Sequence, residues 1–198
     1  MRIEYLIPII SYLVGSIPFG YILVKSTEGK DIRSLGSGNI GATNVFRRSR
    51  WAGILTFVLD AGKGYLAVVL AGWLGGNLQW QAAAALAAII GHVFTIWLRF
   101  KGGKGVATGF GAYLALSPPA ALTTLVFFVL ILVLTRYVSL ASIGATGLFP
   151  FWTYVFSAPF PVLFWSSIGA LLIIAKHHKN IRRLLSGTEN KLVLGARS

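Results

Sequence analysis

Six long runs of mostly apolar residues, over 3–24, 51–75, 81–98, 120–135, 138–157 and 161–175, constrain this chain more than any other feature. Several approach the ~20 residues that a helix needs to cross a bilayer. In hydrocarbon every backbone N–H and C=O must be satisfied within the segment, so such runs fold as helices. A seventh run, 106–116, is short, and its preceding glycines suit a tilted or re-entrant helix. The expected fold is an all-α integral membrane protein forming one polytopic domain, 1–198, with about seven transmembrane helices, some short or kinked. Charged residues are only 12% of the chain, low for a soluble domain. The first run is expected to be retained, because Glu4 follows Arg2 at once and no small-residue cleavage site precedes the polar loop. The absence of cysteine excludes disulfides, thiolate metal sites and cysteine nucleophiles.

The charges orient the bundle. With the N-terminus outside and the C-terminus in the cytoplasm, the inner segments are 25–50, 99–105, Arg136 and the tail 176–198. They hold all but two of the 18 lysines and arginines, the exceptions being Arg2 outside and Lys63 within a span. This follows the positive-inside rule. It also accounts for most of the net charge of +13, so no nucleic-acid partner is implied. No soluble domain, linker or internal repeat stands out.

The polar motifs gather on that same inner side. The loop 34–47, SLGSGNIGATNVFR, combines Gly36, Gly38 and Gly41 with the short polar side chains of Ser37, Asn39, Thr43 and Asn44. Arg33, Arg47, Arg48 and Arg50 surround it with positive charge. Backbone N–H groups beside arginines suit a phosphate or another small dianion. The segment 36–41 also fits G-x-G-x-x-G, with Asp60 some twenty residues on. That fingerprint needs a βαβ unit, and here DIRSL precedes it and apolar spans flank it, so a dinucleotide site is rejected. The loop 99–105, RFKGGKG, repeats the pattern with Lys101, Gly102, Gly103 and Lys104. It is not a Walker A loop, because Gly105 follows Lys104 and no strand precedes it. Gly105 and Gly109 have the small-xxx-small spacing of close helix packing.

Further polar groups lie within or at the ends of the spans. GSIPFG, 15–20, interrupts the first run; such breaks occur at kinks and beside cavities. Asp60 and Lys63, three apart, share one helix face, with Asp60 expected to orient Lys63 or a loop arginine. Ionisable groups at membrane depth are costly, which makes both candidate site residues. His92 stands alone and reads as a packing residue, since one imidazole defines no metal site. Ser142 lies near Arg136, and His177 and Asn180 share a face if the last helix continues. No pair of carboxylates suits two-metal chemistry, no G-x-S-x-G elbow is present, and no histidine has an aspartate five residues on.

GSIPFG, GSGNIGATN with Arg47, FKGGKG with Val106 and Ala107, and His177 with Asn180 and Ile181 together resemble the motif regions of the bacterial acyl-phosphate:glycerol-3-phosphate acyltransferases, the PlsY family. The similarity runs from the first span to about Leu192. The resemblance implies transfer of a fatty acyl group from acyl phosphate to the 1-hydroxyl of glycerol 3-phosphate, giving lysophosphatidic acid and phosphate. It implies a multi-pass protein of the bacterial plasma membrane, with a cytoplasmic active site in contact with membrane lipids. No cofactor or metal is expected, and the expected state is a monomer.

The chemistry agrees with that implication. Acyl phosphate is already activated, so the protein needs only to bind two dianions together, align the hydroxyl and stabilise developing charge. The donor phosphate is expected on Ser37, Gly38, Asn39, Gly41, Thr43 and Asn44. Lys104, Arg47, Ser142, His177 and Asn180 are expected at glycerol 3-phosphate or between the substrates, with Lys104, Ser142, His177 and Asn180 closest to the chemistry. Asp60, Lys63, Gly102 and Gly103 complete the expected substrate-binding set. The acyl chain is expected in an apolar groove between helices. Two other classes fit the residues alone: an organic-anion or phosphate transporter built on broken spans, and a scaffold whose basic loops touch anionic headgroups.

Overall fold

The computed structural model describes residues 3–192, which contain helices and turns but no strand. Arg2 and the end of the basic tail, 193–198, lie outside the described residues. The first apolar run is a single-turn 3₁₀ helix, Ile3–Leu6, followed by α1 (Ile7–Ser16) and α2 (Phe19–Glu28). The GSIPFG motif breaks it at Ile17 and Pro18, where proline removes a backbone donor. The short α3 (Ala42–Phe46) lies in the polar loop, before α4 (Arg50–Trp73) and α5 (Leu78–Val93). Ser49 caps α4 by accepting the Ala52 N–H, and Asn77 caps α5 by accepting that of Trp80. Then come α6 (Val106–Leu116), α7 (Pro118–Thr135), α8 (Val138–Val155), α9 (Phe160–Lys176) and α10 (His178–Leu185).

Five helical stretches are long and apolar enough to cross a membrane: Ile3–Glu28, Arg50–Trp73, Leu78–Leu98, Pro118–Thr135 and Val138–Val155. A sixth is reached if α9 and α10 count as one span bent by 57°. The eleven residues of α6 cover only about 16 Å at 1.5 Å each, half the hydrocarbon thickness. On α4, Trp51 and Trp73 are 81% and 79% exposed. Their separation along the helix is about 33 Å, which sets one indole at each face of a bilayer.

The alanine-rich α5 is the centre, packed against α1, α4, α6 and α9. By contrast α7 buries only Ala120 and Ala121 and turns the rest of its apolar surface outward. Between helices in lipid the attraction is close packing rather than water exclusion, so small residues line the tightest contacts. At the α4–α6 crossing, Gly64 lies against the Thr108 carbonyl and Gly111 against that of Ala61, leaving no room for a Cβ. The expected Gly105 and Gly109 pair does not make such a backbone approach; it packs on the side chains of Ile89 and Ile173. After α10 the chain returns, and the Leu192 N–H donates to the Arg136 carbonyl at 2.7 Å. That return brings the tail back over the α7–α8 turn.

Candidate active site

The first polar loop is built around Asn44, which is buried at the start of α3. Its Oδ1 accepts the Ser37 N–H at 2.9 Å, and its Nδ2 donates to the carbonyls of Leu35 and Asn39. Asn39 Oδ1 in turn accepts the Gly41 N–H at 2.7 Å, and the Gly38 N–H donates to the Leu35 carbonyl. The amides of Ser37, Gly38 and Gly41 are therefore engaged within the loop rather than offered to a ligand. The loop contributes Ser37, Asn39, Gly41, Ala42, Thr43, Asn44 and Arg47 to the lining of a cleft. Arg33 is paired with Asp31 and Arg48 with Glu28, whereas Arg47 lines the cleft.

The second loop works differently. The Gly102 N–H donates to the Val93 carbonyl and the Gly103 N–H to the His92 carbonyl, folding the turn onto the end of α5. A Cβ on Gly102 would strike the His92 carbonyl, and one on Gly103 the His92 ring. The turn delivers Lys104, whose Nζ donates to Asn180 Oδ1 at 2.6 Å. Burial pulls the Lys104 pKa down to about 8; Glu189 opposes this, while Arg183 and Arg47 add to it. Lys104 thus remains largely a cation at neutral pH.

Asn180 belongs to a network with the returning tail. Its Nδ2 donates to Glu189 Oε1 at 2.8 Å, and that oxygen also accepts from Ser139 Oγ at 2.9 Å. Arg183 Nε donates to Glu189 Oε2 at 2.6 Å. Burial alone would raise the Glu189 pKa, but the hydrogen bonds from Arg183, Asn180 and Ser139 outweigh it and hold the carboxyl below its ordinary range. His177 sits at the bend between α9 and α10, and its Nδ1 donates to the Ile173 carbonyl at 2.8 Å. Nε2 is then the nitrogen without a proton. Burial, reinforced by the Lys104 charge, pushes the His177 pKa down to about 4, against the opposing pull of Ile173 and Glu189. His177 is a neutral acceptor at physiological pH.

These groups line one cleft of about 150 Å³. It joins an apolar groove of about 130 Å³ walled by Phe110, Tyr113, Leu125 and Phe149. Ser142, Phe57, Val106 and Phe128 line both. Ser142 Oγ donates to the Val138 carbonyl at 2.8 Å, which keeps the hydroxyl oxygen at the junction. The structure thus brings together Ser37, Asn39, Gly41, Thr43, Asn44, Arg47, Asp60, Lys104, Ser142, His177 and Asn180. Gly38, Lys63, Gly102 and Gly103 are not among the lining residues: Gly102 and Gly103 are folded onto the end of α5, and the Lys63 ammonium is taken up within the bundle. Ser139, Arg183, Glu189 and Asn190 line it too, and sequence reasoning did not select them.

Lys63 belongs instead to a buried cluster. Its Nζ donates to Asp60 Oδ1 and to the Ile17 carbonyl, each at 2.7 Å, and contacts His92 Nδ1 at 2.9 Å. Of the two partners anticipated for Asp60, Lys63 is the one it holds. His92, read from sequence as a packing residue, is buried as that reading requires, yet with Asp60 it reaches the cleft lining.

A family model described as "Glycerol-3-phosphate acyltransferase" matches residues 5–187. Curated relatives of that name include one from Geotalea daltonii, 49% identical over 96% of this chain and 98% of its own. Another, from Endomicrobium trichonymphae, is 46% identical over 97% of each chain. The crystal structure of PlsY (YgiH), an integral membrane glycerol 3-phosphate acyltransferase in its glycerol 3-phosphate form, superposes with a TM-score of 0.91 at 40% identity, covering 96% of both chains. Its lysophosphatidic acid form gives 0.87 at 38% identity, covering 96% of this chain and 95% of that one. With a match over nearly its whole length and a cationic cleft opening into an apolar groove, the chain belongs to the glycerol-3-phosphate acyltransferase family.

Proposed function

We propose that the cleft transfers a fatty acyl group from acyl phosphate to the 1-hydroxyl of glycerol 3-phosphate, giving lysophosphatidic acid and inorganic phosphate at the start of bacterial phospholipid synthesis. The observation that carries this reading is the joining of two unlike cavities at Ser142, one polar and cationic, one apolar. A substrate with a phosphate next to a fatty chain fits that junction. Relatives of the same family name, and a solved relative in glycerol 3-phosphate and lysophosphatidic acid forms, support the acceptor and the product.

In this reading the hydroxyl oxygen attacks the acyl carbon, the acyl–oxygen bond to phosphate breaks, and phosphate leaves with the electron pair. Lys104 and Arg47 neutralise the dianions so that they can lie close together. Ser37, Asn39 and Thr43 offer side-chain hydrogen bonds to the donor phosphate. His177 accepts from a glycerol hydroxyl and Asn180 holds Lys104, fixing the acceptor near the acyl carbon. The proton of the attacking hydroxyl passes to the donor phosphate, which gains basicity as its acyl bond breaks. The low pKa of His177 supports this, since a base needs a pKa near the working pH.

The positive charge around the cleft supports an orientation with the cleft at the cytoplasmic face of the bacterial plasma membrane, the N-terminus outside and seven crossings if α6 counts as one. Single cysteines, introduced into this cysteine-free chain at Asn39, Lys104, Asn180 and Gln79, test the orientation. Only position 79 should label from outside intact cells; outside labelling at 39 or 104 contradicts the reading. Purified protein with both substrates tests the activity: phosphate release should require both, and release from acyl phosphate without glycerol 3-phosphate contradicts it.

A further inference from the structure

The cluster of Asp60, Lys63 and His92 contributes no group to the transfer step described above. An ammonium has three N–H donors, and those of Lys63 meet Asp60 Oδ1, the Ile17 carbonyl and His92 Nδ1. Lys63 therefore has nothing left to offer a substrate. A paired buried charge is also weak as a stabiliser, because desolvation offsets much of the attraction. What the cluster does is join separate segments at one point: the break between α1 and α2 through Ile17, the middle of α4, and the end of α5.

Its last member grips the turn that carries Lys104. The His92 carbonyl accepts the Gly103 N–H at 3.0 Å, and the neighbouring Val93 carbonyl accepts the Gly102 N–H at 3.1 Å. The Nε2 edge of the His92 ring lies against Gly103, where a Cβ would collide with it. Because Nδ1 accepts from Lys63, the ring cannot turn without losing that bond. Lys104 begins one residue beyond this clamp, and Asn180 holds its other end.

We infer that Asp60, Lys63 and His92 are positioning residues, which fix the Gly102–Gly103 turn and through it the place where the Lys104 ammonium meets substrate phosphate. This rests on the reading of Lys104 as a phosphate anchor. Two variants test it in purified full-length protein. His92→Asn keeps an acceptor two bonds from Cβ for Lys63 but removes the ring edge from Gly103. Asp60→Asn with Lys63→Met keeps the site neutral and removes the tie. Each should retain a melting temperature near wild type, while kcat/KM for glycerol 3-phosphate falls at least about tenfold, mostly through KM, as misplacement of a binding group does. Because the effect passes through Lys104, the losses of His92→Asn and Lys104→Arg should not multiply when combined. Wild-type KM in both folded variants, or fully multiplicative losses, overturns the inference. A lowered melting temperature with unchanged KM per folded molecule also overturns it, leaving only a structural role. Lys104→Ala separates the two readings: full activity there removes the anchor itself, whereas its inactivity beside a wild-type His92→Asn removes only the positioning role.

Discussion

Lys63 and Lys104 are two lysines with opposite surroundings. Lys63 is buried in α4 with its donors engaged by Asp60, Ile17 and His92. Lys104 is half-buried in a cleft and, among the described residues, donates to one acceptor, Asn180 Oδ1. The difference shows how a membrane enzyme can use the same residue twice: once as a saturated tie between helices, once as a cation with donors to spare. The anionic neighbours differ accordingly. Asp60 touches Lys63 directly at 2.7 Å, while Glu189 is held back from Lys104 by Asn180, which bonds both. With Lys104 in its proposed role, a carboxylate directly on it would compete with substrate phosphate.

The largest expected effect is on Lys104. Lys104→Ala should lower kcat/KM at least about a hundredfold, as loss of a single preorganised charge stabiliser does, while the protein still inserts and purifies. Steady-state kinetics on the purified variant measure this, and near-wild-type turnover would erase the contrast between the two lysines. Lys63→Met should act on folding as well as on the placement of Lys104. It strands the Asp60 carboxylate in the bundle, at a cost of about 3–5 kcal/mol. Thermal unfolding in detergent should therefore show a large drop for Lys63→Met that the added Asp60→Asn reverses.

A smaller effect is expected from pH. Lys104, faced by Arg47, Arg183, Glu189 and His177, is a cation below about 8 and loses its charge as pH rises through that value. Since kcat/KM reports the free enzyme, it should fall on the alkaline side from near pH 8. In Lys104→Arg that limb should move beyond the measurable range, because guanidinium stays charged. The smallest effect is expected at His177. Glutamine keeps an acceptor but cannot act as a base at neutral pH. His177→Gln should keep measurable activity, with KM for glycerol 3-phosphate rising more than kcat falls. Collapse of kcat at unchanged KM would make His177 the general base.

The spans were legible because apolar runs admit little else in lipid, and their ends moved by only a few residues, as where α2 continues to Glu28. The gathering of motifs at one end was legible from the lysines and arginines. The inside of the first loop was not: Asn44 takes up amides and carbonyls five to twelve residues away, and only the fold shows that those of Ser37 and Gly41 are occupied. Glu189 was missed because it reaches Asn180 only when the chain turns back after the end of α10 at Leu185. His92 looked alone because its partners lie 29 and 32 positions back in sequence on another helix. The available cue was that all three are ionisable side chains within apolar helices.

The measurement that tests the account most directly is a donor comparison in one assay. Purified protein receives glycerol 3-phosphate with either acyl phosphate or acyl-CoA, and acylated product and phosphate are both counted. A cleft that grips a phosphate bonded to the acyl carbonyl should give one phosphate per lysophosphatidic acid from acyl phosphate, little product from acyl-CoA, and neither product nor phosphate with Lys104→Ala. Equal rates from both donors, or product formed by Lys104→Ala at the wild-type rate, would contradict it.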